Sequence, residues 1–134
     1  MKIESVEPAG WARPKGYSNG VLVRGAQSFL FVSGQVAWDA EQRLVARDDF
    51  AAQFAQALRN VVAVVKASGG FPEHIVRMTV YVTDKDLYVA RTKEIGASWR
   101  EILGKHYPAM ALVEVADLLE PGALVEIEAT AAMP

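Results

Sequence analysis

The segment DFAAQFAQALRNVVAVVKASGGFPEHIVRMTVYVT, residues 49 to 83, holds a helix, its stop signal and a strand in succession. Phe50, Phe54, Leu58, Val61, Val62 and Val65 recur at a period near 3.6 and trace one apolar face. Gln53, Gln56, Arg59, Asn60 and Lys66 occupy much of the remaining surface. Asp48 and Asp49 supply an N-cap and favourable charge for the helix dipole. Gly69-Gly70 and then Pro72 end the helix, because glycine tolerates the left-handed backbone and proline cannot continue the ladder. From Ile75 to Thr83 the period changes to two, the signature of a strand.

Working outward, a second helix is expected over Lys85–Leu103, capped by the Thr83/Asp86 pattern and ended at Gly104. Val21–Arg24 and Phe29–Gln35 flank a short glycine-containing turn and read as a hairpin. Ala109–Val115 and Ala123–Ala129 supply further strands, the last after the turn Glu120-Pro121-Gly122, and a short strand fits Ile3–Val6. No linker or low-complexity tract interrupts this order. The expected product is one α+β domain spanning residues 1–134, with a mostly single sheet and two helices on one face.

Strand parity carries the next expectation. The apolar sets Val76, Met78, Val80, Val82; Ala109, Ala111, Val113, Val115; and Val125, Ile127, Ala129 are assigned to the helix side. The opposite face then carries Tyr81, Met110, Leu112 and Leu124 beside Glu126 and Glu128. Such a face is too apolar for water, and a homo-oligomer that covers it is the economical explanation.

Composition narrows the chemistry. The chain has 134 residues, 51% of them hydrophobic, with 14 Lys plus Arg against 16 Asp plus Glu. The cations are scattered from Lys2 to Lys105, which argues against nucleic-acid or membrane-surface binding, since phosphates require clustered positive charge. With no cysteine, disulfides, thiolate catalysis and cysteine-held metals are excluded. His74 and His106 form no metal-binding spacing, so no metal site is expected. Met1-Lys2-Ile3-Glu4-Ser5 lacks a signal-peptide core, and no apolar run approaches the ~20 residues that span a bilayer; a cytoplasmic protein is expected.

Among candidate groups, Glu126 and Glu128 sit at i and i+2 of the last strand. Both side chains reach solvent in one reading. In the other, one of them is partly desolvated in a cleft among Met110 and Leu112, which raises its proton affinity and suits it to proton transfer. Ser33 beside Gly34 is either a turn-forming hydroxyl or, given a base, a nucleophile. Tyr17, in the glycine-rich loop from Gly10 to Gly20, either packs or orients a ligand.

Taken together, Gly16-Tyr17-Ser18-Asn19-Gly20, Phe31-Val32-Ser33-Gly34-Gln35, Gln56-Ala57-Leu58-Arg59-Asn60-Val61, Val80-Tyr81-Val82-Thr83-Asp84, Tyr107-Pro108-Ala109 through Val115, and Val125-Glu126-Ile127-Glu128-Ala129 resemble the RidA family, also called YjgF/YER057c/UK114 or L-PSP. The resemblance covers nearly the whole chain. It implies a chorismate-mutase-like fold with a mixed sheet and two helices on one face. It further implies a homotrimer around a central barrel and clefts between subunits. Its founding members hydrolyse enamines and imines such as 2-aminoacrylate, without cofactor. By position, Tyr17, Ser33 and Gly34 would line the cleft, Glu126 would hold water or shuttle protons, and the Leu112 carbonyl would help place that water. Deaminating members carry an arginine after Pro-Ala that grips the substrate carboxylate. Met110 stands there instead, as in arginine-lacking branches, and a thioether supplies neither charge nor paired donors.

The first reading is therefore a 2-iminobutanoate/2-iminopropanoate deaminase-like hydrolase whose imine need not be a simple 2-imino acid. The second is a non-catalytic trimer that binds a small metabolite as a sensor or enzyme partner. A third, ribonuclease, comes with the family's older name and finds no basic groove in this charge pattern.

Overall fold

The computed structural model describes residues 1–134. Its elements are β1 Lys2–Val6, β2 Gly20–Arg24, β3 Ser28–Gln35, α1 Phe50–Ala67, β4 Ile75–Val82, α2 Lys85–Ala90, α3 Thr92–Leu103, β5 Ala109–Glu114 and β6 Val125–Met133. A four-stranded sheet runs in the order β3-β6-β4-β5, and β1 and β2 form a separate two-stranded sheet. Only β4 and β5 are parallel; β6 is antiparallel to both its neighbours. This mixed α+β sheet, with its helices packed on one face, is the fold expected.

α1 is capped as its sequence indicates. The Asp49 carboxylate accepts the Ala52 amide at 3.1 Å, and beyond the helix Gly69 takes φ +86° while the Gly70 amide reaches the Val65 carbonyl at 3.0 Å. Phe54, Leu58, Val61 and Val65 are buried against Met78, Val80, Val125 and Ile127 of the sheet. Burying each such side chain contributes roughly 1.5–3 kcal/mol. Gln53 departs from the solvent face assigned to it and is fully buried. Its amide nitrogen donates to the carbonyls of Gly122 (3.1 Å) and Ala46 (3.3 Å), and its oxygen accepts the Leu124 amide at 2.8 Å. One polar side chain thereby fixes the turn that launches β6.

Three local expectations are corrected. β2 forms no hairpin with β3. It pairs antiparallel with β1, from Lys2 opposite Arg24 to Val6 opposite Gly20. The Gln27 amide instead donates to the Met133 carbonyl, so residues 25–27 carry the chain from one sheet to the other. The second helix is two, broken at Arg91, which has φ −120° and ψ 17°. The break lets Tyr88 dock on Phe50 and Phe54, at centroid distances of 6.5 and 6.3 Å, while Ile95, Trp99 and Leu103 face the core from α3. Finally, the cap of α2 is Asp84, whose carboxylate accepts the Asp86 amide at 2.9 Å. Thr83 is still committed to the sheet, its amide bonded to the Leu124 carbonyl.

Candidate active site

The sheet register decides which side chains share a face. Met78 stands opposite Met110 and Ala129, and Val80 opposite Leu112 and Ile127. Met110 and Leu112 therefore lie on the helix side with the core, where both are half-buried. The parity expected for β5 is reversed, because parallel pairing to β4 puts its larger residues inward and leaves Ala111 and Val113 outward. Leu124 likewise packs against the core. Tyr81 stands opposite Val113 and Glu126, and Thr79 opposite Ala111 and Glu128, so both glutamates occupy the helix-free face. Glu126 is consequently not among Met110 and Leu112, as expected, but across the sheet from them.

On the helix side a cavity of about 490 Å³ opens between α2, α3 and β5, with Tyr17, Tyr88, Ile95, Trp99, Tyr107, Met110 and Leu112 in its walls. Its shape is set from below. Trp99 and Tyr107 stack with an interplanar angle of 3° and a centroid distance of 6.1 Å. The indole nitrogen donates to the His106 carbonyl at 3.0 Å, and the His106 ring is 2.6 Å from the Ile75 carbonyl. Ser18, a buried hydroxyl, donates to the Tyr107 carbonyl at 2.6 Å, while its amide bonds the Pro108 carbonyl. These bonds pin the long loop before β2 to the start of β5 and hold Tyr17 at the cavity.

On the other face, the β3–β6 register slips between Val32 and Gln35, placing Ser33 and Gly34 in a bulge. Bulges re-aim side chains and recur beside active sites. Here the bulge brings Gly34 under the Glu126 side chain. A Cβ at position 34 would lie 2.8 Å from the Glu126 carboxyl carbon and 3.0 Å from its Cγ. Ser33 is exposed, its hydroxyl 3.4 Å from the Gln35 amide nitrogen. The two glutamates differ in their surroundings. Glu128 accepts the Tyr81 hydroxyl at 2.8 Å, whereas the half-buried Glu126 carboxylate has no hydrogen-bond partner within the chain. That hydrogen bond, with desolvation and the nearby negative charge of Glu128, holds the Tyr81 phenol above its ordinary value.

The six residues expected in the site thus fall into two groups, Tyr17, Met110 and Leu112 at the cavity, and Ser33, Gly34 and Glu126 away from it, with Glu126 on the opposite sheet face. Sequence reasoning missed Tyr88, Thr92, Ile95 and Arg100, which enter the cavity wall from the two short helices. The aromatic spacing Tyr88, Trp99 and Tyr107 was the available signal. No helix is long and apolar enough to cross a membrane, and no cluster of three His, Asp or Glu is arranged to hold a metal ion.

Residues 11–133 match the family model described as Endoribonuclease L-PSP. The chain belongs to the RidA/L-PSP family. It is 34% identical over 106 residues to a RutC family protein of Pyrococcus horikoshii, covering 79% of this chain and 80% of that protein. It is 35% identical over 117 residues to the 2-iminobutanoate/2-iminopropanoate deaminase of Salmonella typhimurium, covering 84% and 87% respectively. Among solved structures, a Rid-family protein from Yersinia pestis superposes with a TM-score of 0.87 at 32% identity, covering 99% of this chain and all of that one. In this RidA-family chain Met110 gives the cavity an apolar wall and packs beside Leu112 on the cluster beneath α1.

Proposed function

We propose that this protein hydrolyses a small imine to the carbonyl compound and ammonia, in a cleft built by two copies of the chain. One copy contributes the aromatic cavity around Tyr17, Met110 and Leu112. The next presents its Ser33–Gly34–Glu126 bulge. Residues on opposite faces of one sheet cannot converge within a single chain, but a head-to-tail arrangement brings opposite faces together, and three copies can close such a ring. Phe29 (58% exposed), Phe31 (78%) and Val113 (41%) make the helix-free side an unfavourable surface to leave in water.

The chemistry needs little machinery. Protonation of the imine nitrogen makes its carbon electrophilic. Water adds to that carbon while Glu126 takes the water's proton, giving a carbinolamine. Glu126 then returns the proton to nitrogen, the C–N bond breaks, ammonia leaves, and the remaining hydroxyl proton is lost as the carbonyl forms. The observation that carries this reading is the Glu126 carboxylate, unpartnered and held against the side-chain-free surface of Gly34. The test is ammonia release from imines generated in situ by an amino-acid oxidase and from amine-derived imines without a carboxylate. Acceleration by the wild type and not by Glu126→Gln supports it; acceleration by neither removes it.

The non-catalytic alternative is favoured by one feature, the apolar Met110 at the cavity floor. It predicts ligand-induced thermal stabilisation that survives Glu126→Gln, with no turnover.

A further inference from the structure

The cavity mouth carries two cations and no acid. Lys15 and Arg100 line it, and neither Asp nor Glu does. Neither cation forms an ion pair: the α3 acids Glu94 and Glu101 are directed to Arg91 (3.8 Å) and Arg59 (3.9 Å) instead. Because the whole chain has a net charge of −2, this positive spot is local rather than a reflection of overall charge.

Helix geometry aims one of the two. Side chains on a helix lean toward its N-terminus, over the residue four earlier. For Arg100 that residue is Gly96, also in the cavity lining, and the guanidinium lies 3.5 Å from where a Gly96 Cβ would stand. With no side chain at 96, the guanidinium can lie along the helix at the rim. The same cavity is lined by the parallel Trp99 and Tyr107 rings and the apolar Met110.

We propose that Arg100, assisted by Lys15, is the specificity-determining anion site of this cavity, and that its ligand joins an aromatic ring to a carboxylate. The ring enters first, against Trp99, Tyr88 and Met110, and the carboxylate remains at the mouth on the Arg100 fork. A neutral aromatic compound would leave both cations unused, and a cationic one would be repelled. A short aliphatic acid would reach Arg100 without filling the aromatic walls. The inference rests on the proposed function only in sharing its cavity; binding requires no turnover.

Calorimetric titration with phenylacetate and its neutral counterpart phenylacetamide tests it. Phenylacetate is expected to bind at least about tenfold more tightly, the preference shrinking in about 0.5 M salt. Arg100→Gln removes the preference while leaving phenylacetamide affinity unchanged, and Arg100→Lys restores part of it. Equal affinities, no binding of either compound, or an intact preference in Arg100→Gln overturns the proposal. Sedimentation of the same variant is run in parallel: a changed assembly with an unchanged preference makes Arg100 a subunit contact and likewise overturns it. Phenylacetate binding without imine hydrolysis removes the catalytic reading and upholds the anion site. Imine hydrolysis without phenylacetate binding does the reverse.

Discussion

Glu126 lies across Gly34 so closely that a Cβ at 34 would stand 2.8 Å from its carboxyl carbon. The contact involves the far end of a flexible side chain, and Gly34 does not use a positive φ. Gly34→Ala is therefore expected to change stability by about 1 kcal/mol or less. It displaces the carboxylate, and an ångström of misplacement at a reacting group costs on the order of 100-fold in rate. Calorimetric melting and ammonia release, measured on the same preparation, should separate in this way. A joint fall in melting temperature and activity would instead make Gly34 a folding residue.

The turn before β6 depends on Gln53. Its three hydrogen bonds, at 2.8, 3.1 and 3.3 Å, satisfy the Leu124 amide and the carbonyls of Gly122 and Ala46 from a fully buried position. Gln53→Leu preserves bulk and strands the Leu124 amide and the Gly122 carbonyl, while the Ala46 carbonyl keeps the Asp49 amide at 3.1 Å, so a loss of about 2–3 kcal/mol is expected in denaturant unfolding. Gln56→Leu is the contrast. Gln56 donates to the Asn60 side-chain oxygen at 2.9 Å and reaches the Trp38 carbonyl only at 3.4 Å, a carbonyl that Asn60 serves at 2.9 Å, so a loss of about 1 kcal/mol is expected.

Gln53 also marks a limit of reading the chain as a string. The period of Phe50, Phe54, Leu58 and Val61 identifies α1 and its inward face without ambiguity, and Asp49 and Gly69 act as its ends. That a glutamine belongs on that face depends on backbone groups 69 and 71 positions away. The same distance dependence hides the partner of β2: the glycine-containing residues 25–27 look like a hairpin turn, and only the bond from Gln27 to Met133 shows the chain changing sheets. Parity in β6 was legible because its inward residues are uniformly apolar. In β5 both faces are apolar, so alternation cannot choose, and the parallel register with β4 does. The family motifs led to Glu126, Gly34 and Tyr17, but nothing in their order along the chain indicates that a sheet separates the first two from the third.

The Tyr81–Glu128 hydrogen bond gives a pH signature. Hydrogen bonding to the Glu128 carboxylate, desolvation and its charge raise the Tyr81 value above 10.0. A group whose native value is raised contributes stability that is present in full below its unfolded value and fades as pH climbs through the native one. The pair therefore stabilises at neutral pH and its contribution fades in the alkaline range above 10. Absorbance at about 295 nm should show one tyrosine titrating late. Tyr81→Phe abolishes that late phase, and Glu128→Gln moves it to lower pH.

Phe31 is 78% exposed on the helix-free face, beside Thr130 in register and near Arg77, Thr79 and Glu128. Placing a charge there penalises any assembly that covers this face, since burying an unpaired carboxylate costs several kcal/mol. Phe31→Asp is expected to sediment as a monomer under conditions where the wild type sediments as a trimer. Far-ultraviolet circular dichroism should be unchanged, because the side chain takes no part in the core. A wild type that sediments as a monomer would remove the two-copy cleft.

Met110→Arg asks whether the cavity floor alone separates this protein from its deaminating relatives. Met110 is half-buried between Leu112 and the cavity, so the longer side chain can extend into open volume rather than into the core. The guanidinium adds a paired donor for a carboxylate, worth roughly 1.5–3 kcal/mol in a charge-assisted bond, or about tenfold to hundredfold in kcat/KM. 2-Iminopropanoate hydrolysis is expected to rise by that factor, while neutral imines gain nothing and phenylacetate binding weakens as the ring loses its apolar floor. Because the gain appears in an acid substrate and not in a neutral one, a general improvement in folding or yield cannot mimic it. An unchanged ratio of acid to neutral turnover would mean that the substrate carboxylate never reaches residue 110.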